Sequence, residues 1–236
     1  MKDLFGRALL DYQNGNYTED LITSTSISDE DVLPLPYLFR NYKDMPMLEQ
    51  KALRLSKGQV LDVGCGSGSH SLYLQTKGLL VKAIDISKGA VEVAKMRGVI
   101  NAELKDLLDE TQTFDTILLL MNGTGIFKKL SKVSKYLKHL KSLLKPNGQI
   151  LVDSTDIKYM YEDENGGPDS YRDWMDAHSN YYGELEYCLR YKGEDETPFK
   201  MLYLDFGTLE TACQTVGLNC ELVLEGKHYD YLARLH

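Results

Sequence analysis

The chain reads as an α/β protein, a doubly wound and mostly parallel seven-stranded sheet that finishes in a C-terminal antiparallel hairpin. Three observations predict this. Short apolar runs alternate with amphipathic segments from residue 59 to residue 152, the pattern of strands joined by helices that cover both faces of a parallel sheet. The first run, Gln59–Val63, opens directly into a glycine-rich loop, Gly-Cys-Gly-Ser-Gly. The last two runs, 220–224 and 229–235, flank Glu225-Gly226-Lys227, which is too short to cross a sheet, so this pair is antiparallel.

In chain order, Leu4, Ala8 and Leu9 recur at helical spacing before Asn14-Gly15 and predict a helix over 3–13. Leu33-Pro34-Leu35-Pro36 is expected to break regular structure. A second helix is predicted over 46–56, with proline at its start and Gly58 beyond its end. Strand 59–63 then leads to helix 69–76, strand 80–84 ending at Asp85, helix 88–96, a short strand over 99–104 and a buried strand over 114–120. An amphipathic helix over 130–144 is closed by Lys145-Pro146-Asn147-Gly148, and 149–152 is the fifth strand. Helix 208–216, stopped by Gly217, precedes the final hairpin.

At 236 residues and 43% hydrophobic, the chain can bury one substantial core, so a single domain over 1–236 is expected. Within it we distinguish an N-terminal helical cap (1–58), a ligand-binding core (59–158), an inserted β-hairpin lid (159–206) and the final helix and hairpin (207–236). The longest purely apolar run, 117–121, is far short of the ~20 residues of a membrane helix, and the first fifteen residues lack a signal-peptide core. The four cysteines form no Cys-x-x-Cys pair, which suggests neither a disulfide framework nor a zinc site, and a cytoplasmic protein is expected. A net charge of −8 repels phosphate backbones and weighs against nucleic acid as partner. No membrane partner is expected, and the composition leaves the oligomeric state open.

The sequence Gln-Val-Leu-Asp-Val-Gly-Cys-Gly-Ser-Gly-Ser-His at 59–70 carries most of the functional information. Glycines at 64, 66 and 68 remove every Cβ where the backbone turns, and the following helix points free N–H groups into the turn. A dinucleotide loop wants glycine at its first, third and sixth positions, but the sixth is Ser69 here. The Gly-x-Gly-x-Gly core preceded by Val-Leu-Asp-Val closely resembles the first motif of the class I S-adenosylmethionine-dependent methyltransferases. The resemblance extends over 59–153 and 208–236, because a parallel sheet finished by one reversed hairpin strand is that family's arrangement.

The resemblance implies S-adenosylmethionine as cofactor, held by Asp62, Gly64, Cys65, Gly66 and Gly68 of the first motif. Asp85, 17 residues beyond Gly68 at a strand end, is placed to accept both ribose hydroxyls, with Ile86 as an apolar face for the adenine. Asp106 and Leu107 match the position that contacts the adenine edge. Asn122, in Met-Asn-Gly-Thr-Gly after the fourth strand, lies where either cofactor or substrate binds, and the absence there of an Asn-Pro-Pro-Tyr type tetrapeptide argues against a nucleobase amine. Arg40, beside Leu38 and Phe39, is a candidate clamp for the cofactor carboxylate.

Methyl transfer from a sulfonium is a direct displacement that needs a base only when the nucleophile arrives protonated. His178 and Tyr182, both in the tyrosine-rich insertion, are the candidate catalytic residues. In that insertion Leu185, Tyr187, Leu189 and Tyr191 alternate with polar residues before a turn at 193–198, the pattern of a hairpin laid over a site. The six lysines from Lys129 to Lys145 read first as a solvated helix face. Asp153 and Asp156 do not complete a metal-ligand set, so no metal is expected. The expected function is S-adenosylmethionine-dependent methyl transfer to an O, N or C nucleophile of a small molecule. The rivals are a cofactor-binding module that recruits a partner without turnover and a nicotinamide-dependent dehydrogenase.

Overall fold

The first helix, α1 (Leu4–Gln13), begins at Asp3, whose carboxylate takes the Gly6 amide at 3.1 Å and so satisfies one of the helix's free N–H groups. The computed structural model describes residues 2–161 and 170–236. A tight hairpin follows, β1 (Leu21–Thr25) and β2 (Ser28–Leu33), closed by the Thr25 and Ser28 hydroxyls 2.8 Å apart. The N-terminal cap is therefore not purely helical. Four consecutive residues of β2 are exposed, so it has no apolar alternation by which a sequence reading could find it.

Leu33-Pro34-Leu35-Pro36 does not end regular structure either. It leads from β2 into a one-turn helix, α2 (Leu35–Leu38), because proline near the start of a helix removes only an N–H that would be unpaired anyway. Helix α3 (Met47–Leu55) completes the cap.

The core then winds through β3 (Gln59–Val63), α4 (Ser69–Thr76), β4 (Leu80–Asp85), α5 (Lys88–Met96), β5 (Ala102–Leu104), β6 (Phe114–Leu119), α6 (Val133–Ser142) and β7 (Leu144–Thr155). Beyond it lie α7 (Ser170–His178), β8 (Glu184–Tyr191), β9 (Glu194–Asp195), β10 (Phe199–Leu202), α8 (Phe206–Thr215), β11 (Cys220–Glu225) and β12 (Asp230–Leu235). The main sheet runs in the order β11-β12-β7-β6-β3-β4-β5, with β12 antiparallel to both of its neighbours and the other pairings parallel. This is the predicted fold class.

Period-two alternation assigns each strand residue to a face. Leu61, Ile117, Leu119, Ile150 and Val152 pack with α6 and α8, whereas Val60, Leu118, Leu151 and Leu232 pack with α3 and Leu74 of α4. Each such side chain is buried, a gain of about 1.5–3 kcal/mol relative to exposure.

Two boundaries differ from the sequence reading. The helix predicted over 130–144 starts as a 3-10 turn, Leu130–Lys132, and its α-helical part stops at Ser142. The predicted turn at Lys145–Gly148 is absorbed into β7, where the register with β6 shifts between Phe114 and Thr116 and Asn147 takes φ 61°.

A second, antiparallel sheet is ordered β10-β8-β1-β2, with β9 pairing on β8. The predicted hairpin of the insertion corresponds to β8 paired with β10, Leu185 opposite Met201. Its other edge is not free, because β1 pairs along β8 with Thr23 opposite Leu189. The roof is thus made from two distant segments of chain, and part of the insertion, residues 162–169, lies outside the described residues. Leu189 and Tyr191 pack with Leu4, Leu9, Ala90 and Val93, which seats the roof on α1 and α5. There α1 crosses α5 so closely that a Cβ on Gly89 would stand 2.5 Å from the Gly6 backbone. Asp3 bridges the crossing by accepting the Gly89 amide at 3.0 Å as well.

Candidate active site

Parallel strands of an open α/β sheet leave a crevice beyond their C-terminal ends, and the loops after β3, β4, β5 and β6 meet there. After β3, the Gly64 and Cys65 amides both reach the Ile84 carbonyl at the end of β4, at 2.9 and 3.1 Å. The loop then turns through glycines 64, 66 and 68 at φ +72°, +51° and +84°, the left-handed region where a side chain is strained. Asp85 closes the arrangement. Its Oδ2 accepts the Gly66 amide at 2.9 Å and its Oδ1 accepts the Ser87 amide at 2.8 Å. Burial raises the Asp85 pKa, and the Ser87 and Gly66 amides oppose that rise.

The resulting cleft is lined by Gly64, Asp85, Ile86, Asp106, Leu107 and Asn122 of the residues singled out from the sequence. Ile86 is 63% exposed, an apolar face offered to a ligand, while Leu107 is buried in the main core. Asp106 keeps one oxygen on the Leu108 amide at 2.8 Å.

The other motif residues support the loop from behind. Asp62 accepts the Ser71 hydroxyl at 2.6 Å. Cys65 packs into a small core with Ala83, Val91 and Ala94, and burial, with Asp62 and Asp85 nearby, pushes its thiol pKa up, so it stays an inert apolar filler. Gly66 lies outside the cleft wall, its missing Cβ facing Phe5 of α1. At Gly68 a Cβ would come within 2.6 Å of Val99 and 3.2 Å of Ala94, so this glycine lets α4 and α5 pack, not a ligand approach.

Arg40 also stands apart from the cleft lining. Its guanidinium holds both oxygens of Glu49 at 2.5 Å, lies over the Tyr37 ring and donates to the Tyr37 carbonyl, while Glu49 receives His70 Nε2 at 2.7 Å. Both ion-pair side chains are 5% exposed. Burial would raise the Glu49 pKa, but His70 and Arg40 hold it below its ordinary value. Arg40 Nε is buried and has no hydrogen-bond partner among the described residues.

The two candidate catalytic residues are not brought to the cleft. His178 is exposed at the end of α7, stacked on Trp174, with Nδ1 bonded to the Trp174 carbonyl at 2.8 Å. Tyr182 is buried in the core, where its hydroxyl donates to Asp156 at 2.9 Å and Asp205 at 3.1 Å. Burial, reinforced by Tyr181 and Asp205, raises its pKa well above the phenol range, so it has no means of acting as a base.

Several cleft residues carried no sequence signal of their own. Tyr136 reaches the cleft from inside the lysine-striped helix, Ile126 and Lys128 from the loop after β6, and Phe199, Lys200 and Met201 from β10 of the roof. Arg97 locks the glycine loop to the cap by donating to the Ser67 carbonyl at 2.8 Å, to the Ser67 and Ser69 hydroxyls and to the Phe39 carbonyl. Asp153, on β7, accepts the Met121 and Gly123 amides at 2.9 and 2.8 Å and fixes the loop after β6 from below. Burial raises its pKa to about 6.

Asn122 lies in that loop at φ +59°, its Oδ1 within 3.3 Å of the Thr124 and Ser154 hydroxyls. Its Nδ2 is buried and makes no close hydrogen bond among the described residues, with the Tyr203 side chain as a looser neighbour. Among the described residues no cluster of three or more His, Cys, Asp or Glu side chains is placed to hold a metal, and no helix is long and apolar enough to cross a membrane.

Comparison with known proteins agrees with this geometry. A family profile described as a methyltransferase domain matches residues 60–148. A crystal structure of a SAM-dependent methyltransferase from Bacteroides fragilis in complex with S-adenosyl-L-homocysteine is 45% identical, superposes with a TM-score of 0.90 and covers 100% of this chain and 94% of its own. A ubiquinone biosynthesis O-methyltransferase of Rickettsia felis is 30% identical over 42% of this chain, and the match spans only 41% of that relative's length. A sugar N-methyltransferase from Streptoalloteichus, at 13% identity and a TM-score of 0.54 over 79% of this chain and 84% of its own, shares the fold alone.

Proposed function

The chain belongs to the class I S-adenosylmethionine-dependent methyltransferases, and we propose that it transfers a methyl group to an O, N or C nucleophile of a small molecule held in the cleft. The observation that carries the reading is the double anchoring of Asp85, by Gly66 and Ser87, at the wall of that cleft. Two backbone donors fix the carboxylate yet leave lone pairs on both oxygens, so it can accept two ribose hydroxyls without moving. Exposed Ile86 beside it suits the face of an adenine, with Asp106 and Leu107 at the ring edge. The residues present therefore fit S-adenosylmethionine, with Gly64 and Asp85 as the principal holders.

When bound, S-adenosylmethionine supplies an electrophilic methyl on a sulfonium. The chain's own contribution is to align the acceptor and exclude water. Phe199, Lys200 and Met201 of the roof face the loop that carries Asn122 and Ile126, so an acceptor between them is held from both sides. Among the described residues, the ionisable groups lining the cleft are Asp85, Lys105, Asp106, Lys128, Tyr136 and Lys200, without a histidine among them. This favours catalysis by positioning over a dedicated general base.

The test is turnover. The purified chain, incubated with S-adenosylmethionine and a fractionated metabolite extract, is expected to release S-adenosylhomocysteine in one or a few fractions. Tight S-adenosylmethionine binding with no release in any fraction would instead support a recruiting module.

A further inference from the structure

The loop from Met121 to Lys128 carries three non-glycine residues with positive φ, Met121 at 65°, Asn122 at 59° and Lys128 at 68°. Such residues are strained and persist only where the surroundings hold them. Here the holding groups are visible. Asp153 takes the Met121 and Gly123 amides, and Thr124 Oγ1 lies 2.6 Å from Ser154 Oγ and donates to the Leu202 carbonyl of the roof at 3.0 Å.

The strain places two groups in the cleft wall. One is Asn122, whose side-chain oxygen faces two hydroxyls while its buried Nδ2 makes no close hydrogen bond among the described residues and has the Tyr203 side chain beside it as a loose partner, which leaves it short of a strong acceptor. The other is Lys128, which lines the cleft and makes no ion pair among the described residues. An exposed lysine by itself means little. A strained one beside a buried, weakly satisfied donor, in a chain of net charge −8, is a local reversal of sign.

Asp85 and Asp106 line the cleft beyond β4 and β5, whereas this loop follows β6, on the opposite side of β3. The roof contributes a second cation, Lys200, held by Glu186 at 3.3 Å. Asp153 lies below the loop with both oxygens already occupied by amides.

We propose that this loop recognises an anionic group, a carboxylate or a phosphate, on the substrate, with Asn122 Nδ2 donating a hydrogen bond to it and Lys128 Nζ supplying the opposing charge. The inference rests on the methyltransferase reading, since it assigns the substrate end of the same cleft.

The test uses the full chain saturated with S-adenosylhomocysteine, titrated at constant ionic strength with inorganic phosphate, benzoate and benzamide while the Asn122 and Lys128 amide resonances are followed. Saturable shifts are expected with at least one anion and not with neutral benzamide, and the tighter anion identifies the phosphate or carboxylate source. Asn122→Asp keeps the shape and tolerates positive φ but replaces the donor with a negative acceptor, and is expected to weaken anion binding about tenfold or more. Lys128→Met is expected to weaken it about threefold, and Lys128→Arg to retain it. Benzamide binding as well as benzoate, no saturation by either anion, or parental affinity in both Asn122→Asp and Lys128→Met would overturn the proposal. Failure of S-adenosylhomocysteine itself to bind would instead overturn the methyltransferase reading.

Discussion

Asp85 Oδ2 accepts the Gly66 amide at 2.9 Å, tying the end of β4 to the loop that leaves β3. One carboxylate therefore both shapes the glycine loop and faces the cleft, which makes it the most informative position to change. Asp85→Ala is expected to weaken S-adenosylmethionine binding by ~1.5–3 kcal/mol, since it removes a charged acceptor from two hydroxyls and frees the Gly66 amide. Calorimetry on a folded variant with parental affinity would refute the assignment.

Gly66 and Gly68 have different jobs despite sitting in one motif. Gly68→Ala adds a Cβ 2.6 Å from Val99 and strains φ, and is expected to cost about 2–4 kcal/mol of stability. Gly66→Ala meets nothing closer than Phe5 at 3.9 Å and is expected to cost about 1–2 kcal/mol from backbone strain alone. Urea denaturation of the two variants should rank them in that order.

The Arg40–Glu49–His70 chain is buried, so breaking it strands charge. Glu49→Gln is expected to destabilise the fold by about 3–5 kcal/mol, because Arg40 and His70 would lose their shared partner. With Arg40 committed to Glu49, Arg40→Lys is expected to reduce adenosine and S-adenosylmethionine affinities together. A selective loss for S-adenosylmethionine would revive a carboxylate clamp.

Glu110 has no exposed side-chain surface and accepts Lys82 at 2.9 Å and Lys105 at 3.1 Å. Burial would raise its pKa, but the Gln112 and Thr111 amides and the two lysines hold it down to about 2, below its ordinary 4.5. A depressed carboxylate contributes stability above its unfolded pKa and loses it as pH falls through the folded one. Glu110 should thus add roughly 3 kcal/mol above pH 4.5 that disappears towards pH 2. Glu110→Gln should flatten acid denaturation across that window, and a parallel profile would contradict this.

Asp153 titrates in the opposite sense. With its pKa raised to about 6 by burial, it favours the fold most when protonated, and that contribution is lost as pH rises through 6. The ionised form accepts the Met121 and Gly123 amides more strongly than the neutral acid, so the loop tightens over the same range. The amide resonances of Met121 and Gly123 are expected to titrate together with a midpoint near 6. A midpoint near the ordinary carboxylate value of 3.8 would dismiss the effect.

The main sheet, the glycine loop and the cleft wall at Asp85 and Ile86 follow from the amino-acid order alone. Strands β3 and β4 and helices α4 and α5 were legible because their signals are local: period-two apolar runs, glycine stops, and a loop whose chemistry needs Gly64 at positive φ with Asp85 at the next strand end. The roof, by contrast, follows only from long-range packing. The roof joins β1 to β8 across more than 160 residues of chain, and polar, exposed β2 has no pattern to read. Tyr182 and Arg40 have the composition of site residues, yet burial against Asp205 and Glu49 turned both into supports. Whether a polar side chain faces a ligand or a neighbour depends on which distant segment packs against it, and spacing along the chain does not encode that contact.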